Sequence, residues 1–228
     1  MWYAFIDERF EYYTTHSRFI VACSFFPQTR WDAQYQDALA VDRARPKNQR
    51  IQPIVTVLQK SGGFAVLAYA DVPDHLAQAG ETDGTADIPS MKRRDNLWSQ
   101  LVVFAVTTAV ACLHGASLIT LDIDVFYDPK SLTPKHRLSF EEVLRDTLSA
   151  TAKDTVKVLG STAPVYFHRI EQVPKRRSGE KSNALQDGIN ISHHLCTQSK
   201  SLITSGGVTG IVVHNCTDVV IDTISKFV

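Results

Sequence analysis

Residues 117–127 read SLITLDIDVFY, and the alternation in that stretch decides the fold class. Ile119, Leu121, Ile123 and Val125 fall on one side of an extended chain and Thr120, Asp122 and Asp124 on the other, the period of two of a strand with one apolar face. Two carboxylates therefore share one side of a strand. Just upstream, Leu97, Trp98, Leu101, Val102, Phe104, Ala105, Ala109 and Leu113 make residues 96–113 apolar nearly all round, which predicts a deeply buried helix. Asp95 or Asn96 can cap it and Gly115 ends it. Downstream, Ser139 with Glu142 three residues on has the form of a capping box, predicting a helix that begins there and runs to about residue 159.

Working outward, residues 2–8 (WYAFIDE) and 18–26 (RFIVACSFF) read as two strands joined by a polar turn at 11–17, a possible hairpin. Two helix-like stretches follow at 31–44 and 49–60, parted by Pro46 and stopped by Gly62 and Gly63. Residues 64–72 (FAVLAYADV) read as a third strand, ahead of a polar, Gly/Asp-rich loop over 73–90. Beyond the quoted stretch come a strand at 165–173, a basic loop at 174–181, and a helix at 183–198 with Asp187 near its start. In the last thirty residues, Gly206 and Gly207 lead into GIVV and then DVVIDTISKF, enough for one more strand and a terminal helix. This order predicts a mixed α/β protein: a central mixed sheet of about five strands with flanking helices, antiparallel at its start and then built by crossovers. The chain is expected to be one domain over 1–228, with a helical insertion at about 31–61 and a C-terminal extension at about 199–228.

The 228 residues are 44% hydrophobic, which excludes collagen-like, coiled-coil and disordered classes. Twenty-four Lys and Arg balance 24 Asp and Glu, so any anionic partner must be held by a local patch rather than a global field. The four cysteines, at 23, 112, 196 and 216, form no CxxC pair and read as buried thiols of a reducing compartment. The N-terminus reaches Asp7 and Glu8 before any signal-like apolar core. The longest apolar run, 101–113, is shorter than the roughly 20 residues that span a bilayer, so a cytoplasmic protein without a membrane partner is expected. No P-loop, GxGxxG or GxSxG occurs. His193, His194 and Cys196 form an HHxC run on one helix, but adjacent histidines face different ways and structural roles are favoured over zinc.

Acidic residues then stand at the end of the first strand (Asp7, Glu8), on the fourth (Asp122, Asp124) and on the late helix (Asp187). The chain resembles the ribonuclease H-like fold, and within it the family that opens with an "IDES" strand and ends with an "LQ…AD" helix. The resemblance is carried by Phe5-Ile6-Asp7-Glu8, AYADVP at 68–73, Leu121-Asp122-Ile123-Asp124 and Ala184-Leu185-Gln186-Asp187. Arg9 replaces the usual Ser, and only Gln186 separates Leu185 from Asp187, where the family has a longer spacing.

The resemblance implies a metal-dependent nuclease, a hydrolase that cuts phosphodiester bonds of DNA or RNA with two Mg²⁺ or Mn²⁺ ions roughly 4 Å apart. On that reading Asp7 bridges both ions, Glu8 and Asp122 or Asp124 complete one site, and Asp187 completes the other. Hard ions of this kind take carboxylate and water rather than imidazole or thiolate. Each acid also has a plainer reading: a solvated strand end for Asp7 and Glu8, an ion pair with Arg18 or Arg169 for Asp122 and Asp124, and a favourable helix N-terminus for Asp187. Nucleic acid would be met by Arg93 and Arg94 and by Arg176, Arg177 and Lys181, the latter just ahead of the Asp187 helix. The alternative function is a catalytically inactive binding or assembly module on the same fold. The apolar helix and C-terminus also offer a homodimer surface, though burial within one chain explains them equally well.

Overall fold

The structure, a computed structural model, describes residues 1–43, 51–73, 76, 89–116, 120–128, 134–174 and 183–225. Its centre is a six-stranded mixed sheet of β1 (Trp2–Tyr12), β2 (His16–Pro27), β3 (Phe64–Pro73), β4 (Leu121–Tyr127), β5 (Val165–Gln172) and β6 (Ile211–Asn215), in the order β5-β4-β1-β2-β3-β6. β1, β2 and β3 are antiparallel neighbours, whereas β4 runs parallel to β1, β5 to β4 and β6 to β3. The antiparallel start and later crossovers expected from the sequence are what is observed. The sixth strand comes from the C-terminal residues.

Period-two alternation assigns each strand's side chains to one of two cores. On the first face, Ala4, Ile6, Val21, Cys23, Val66, Ala68, Ile123 and Val125 meet α3 (Pro89–Ala116) and α4 (Pro134–Val158). Val220 of α7 (Thr217–Ser225) joins that face. On the second face, Phe5, Ala22, Phe26, Leu67 and Phe126 pack beneath α1 (Gln28–Arg43), α2 (Ile51–Ser61), α5 (Ala184–Thr197) and α6 (Ser199–Ser205). Phe5 is the hub there, with ring centroids 5.0 Å from Trp31 and 5.7 Å from Phe126. Offset contacts of this kind add about 0.5–1.5 kcal/mol per pair beyond area burial.

Two helix starts differ from expectation, for one reason. α3 begins at Pro89 rather than near Asp95, and α4 at Pro134 rather than at Ser139, which lies inside the helix. Proline is preorganised for the first helical position and has no N–H to leave unpaired, so it opens a helix as readily as it fills a turn. Within α3, Leu97–His114 is 18 residues long with mean hydropathy 1.6, enough to cross a membrane by length and composition. Here Leu101, Val102, Ala105, Val106, Ala109 and Val110 are buried in the first-face core.

Candidate active site

Small side chains lay α5 onto the sheet. Gly188, Ser192 and Cys196 recur every four residues and so share one face of the helix. A Cβ at Gly188 would stand 2.5 Å from the Phe5 ring, so only glycine permits this approach. Ser192 Oγ donates to the Phe5 carbonyl at 2.7 Å and lies 2.8 Å from Ser24 Oγ, pinning the helix over the β1–β2 seam. Cys196 Sγ donates to the Asp7 carbonyl at 3.3 Å. Asn183 caps the helix, its side chain accepting from the Leu185 N–H at 2.9 Å. The first turn of α5, with Gln186 and Asp187, thereby lies at the end of β4, and His193 lies beside Asp7.

β1 and β4 run side by side through the pairs Trp2–Ile123 to Ile6–Tyr127. β4 ends there while β1 runs on to Tyr12, and the next residue of each chain segment is an acid: Asp7 inside β1 and Asp128 just past β4. Both continue the second face, Asp7 after Phe5 and Asp128 after Phe126. Tyr127 fixes the end of β4 from both sides: its hydroxyl donates to Glu141 of α4 at 2.7 Å, and its carbonyl accepts from Val173 N–H at 2.9 Å. Asp7 is 6% exposed, and its Oδ2 lies 2.8 Å from Nδ1 of the half-exposed His193. Asp187 is 4% exposed in the first turn of α5, where the helix dipole favours a carboxylate.

Gln186 links α5 to β4. Its Nε2 donates to Asp128 Oδ1 at 3.1 Å, while its Oε1 is buried with no hydrogen-bond partner. An unmade acceptor of this kind costs about 1–3 kcal/mol. Burial, and after it the negative charge of Asp7, push the Cys196 thiol well above its ordinary range, which favours the protonated form that donates to the Asp7 carbonyl.

Asp122 and Asp124 lie elsewhere. Asp124 is level with Tyr3, roughly 13 Å back along the strand from Asp7. A β-bulge accounts for what they do. Ile123 pairs with Phe167 and Asp124 with Arg169, leaving His168 as the extra residue of β5. Phe167 and Ile170 both enter the first-face core, so His168 and Arg169 both turn to the other side and meet the acids. His168 Nε2 is 2.7 Å from Asp122 Oδ1, and Arg169 Nε and Nη2 donate to Asp124 Oδ2 at 2.8 and 2.6 Å. That hydrogen bond holds the Arg169 guanidinium above its ordinary pKa. Arg18, the other candidate partner, instead forks onto Asp71 at 2.6 and 2.7 Å.

Glu8 pairs across the ladder with Val21, a first-face residue, and so stands on the opposite side of the sheet from Asp7. Arg93 and Arg94 lie in the first turns of α3, and Arg176, Arg177 and Lys181 lie outside the described residues. Sequence reasoning missed Asp128. Its signal was the continuing alternation of Asp122, Asp124 and Phe126, which places the residue after Tyr127 on the acidic side.

No family model matches this chain, and no curated protein matches it by sequence. Among solved structures it is similar to one described as the crystal structure of the ribonuclease H2 from Pyrococcus horikoshii OT3, with TM-score 0.42, 12% identity, and coverage of 92% of this chain and 78% of that one.

Of the acids expected from the sequence, Asp122 and Asp124 are engaged by β5, and Glu8 stands on the opposite face of the sheet from Asp7. Among the described residues no three His, Cys, Asp or Glu are grouped to hold an ion. Asp7 and Asp128 carry carboxylate oxygens of the kind hard cations take, and the Gln186 amide oxygen is buried without a partner.

Proposed function

We propose that the chain is a divalent-metal-dependent nuclease of ribonuclease H-like type, hydrolysing DNA or RNA phosphodiesters where β4 ends beside Asp7 in the middle of β1. What supports it best is the parallel register that carries β1 beside β4 as far as Ile6–Tyr127, one residue short of Asp7 and Asp128, with Gln186 of α5 hydrogen-bonded to Asp128. Asp7 anchors the site because three contacts fix it: its place in the β1 ladder, His193 at its carboxylate and Cys196 at its carbonyl. Asp128 is held by Gln186, and Asp187 adds negative charge from the first turn of α5. Bound Mg²⁺ or Mn²⁺ would supply an acidified water and neutralise phosphoryl charge. Arg93, Arg94, Arg176, Arg177 and Lys181 would meet the phosphate backbone, which makes binding fall with salt.

Cleavage of labelled DNA and RNA, single- and double-stranded, tests the reading. Asp7→Asn and Asp128→Asn should each abolish Mg²⁺-dependent cutting, while Asp124→Asn retains it. Full activity in a clean, folded Asp7→Asn preparation would overturn it.

The second reading, a binding module on the same fold, draws on the His193–Asp7 contact, which already gives the Asp7 carboxylate a partner. Titration with Mn²⁺ separates the two: saturable heat that Asp7→Asn removes favours the nuclease, and no heat favours the module.

A further inference from the structure

No further inference is drawn: the strongest candidate, the surface patch of Tyr13, His16, Arg18 and Tyr69 beside the turn from β1 to β2, already has its rings set against one another and against Arg18, with Arg18 held by Asp71, and nothing in the structure shows what covers it.

Discussion

Replacing Asp124 with alanine separates a structural ion pair from a catalytic one. Asp124 accepts three hydrogen bonds, from the Arg169 backbone N–H at 3.2 Å and from Nε and Nη2 at 2.8 and 2.6 Å. Its side chain is 3% exposed and that of Arg169 49%, so the guanidinium can turn to water when its partner is removed, whereas the pocket around Asp124 cannot. Hydrogen bonds to charged groups are worth about 1.5–3 kcal/mol each when buried, and solvent screening of the half-exposed arginine cuts this set to about 2 kcal/mol in total. For a chain of this size that lowers Tm by about 4–8 °C. Asp124→Asn keeps an oxygen for the backbone N–H and should fall between wild type and alanine. Urea denaturation of both variants, alongside Arg169→Leu and the double mutant, gives the coupling energy, expected at about 1 kcal/mol. Asp124→Ala as stable as wild type but with cleavage abolished would refute the assignment and return Asp124 to the active site.

Other consequences can be checked with the same preparations. Gly188→Ala drives a methyl into the Phe5 ring and should cost about 1–3 kcal/mol, read as a lower urea midpoint. Of the four thiols only Cys112 is exposed, so a disulfide reagent should label one thiol quickly in the native chain and four in denaturant. Burial holds the Cys216 thiol up at about 12 against an ordinary 9.0. Between those values the folded thiol keeps a proton that the unfolded chain has released, so its contribution is complete below pH 9 and lost as pH rises through the window. Urea midpoints in reductant should therefore drop above pH 9, and Cys216→Ala should flatten that drop.

Much of the fold was legible because alternation and apolar periodicity report burial directly. The stretch at 117–127 put Leu121, Ile123 and Val125 on one side and the acids on the other, and the structure keeps that division wherever those residues are described. Local signals failed where a residue type serves two roles. Pro89 and Pro134 look like turn residues and are helix starts. The site was legible only in part. Asp187 falls at a helix start, as sequence order can propose, whereas Asp7, expected at a strand end, lies mid-strand because β1 runs on to Tyr12. Which residue of β4 stands beside Asp7 depends on inter-strand register, and register is set by long-range packing. The engagement of Asp124 by Arg169 depends on a bulge at His168, which no alternation pattern announces because the bulge is a break in alternation.

Anomalous diffraction from a crystal soaked in Mn²⁺ tests the location of the site most directly. The account predicts a peak bonded to the carboxylates of Asp7 and Asp128. A peak bonded to Asp122 or Asp124 in place of His168 and Arg169, or none beside Asp7 and Asp128 under saturating Mn²⁺, would contradict it.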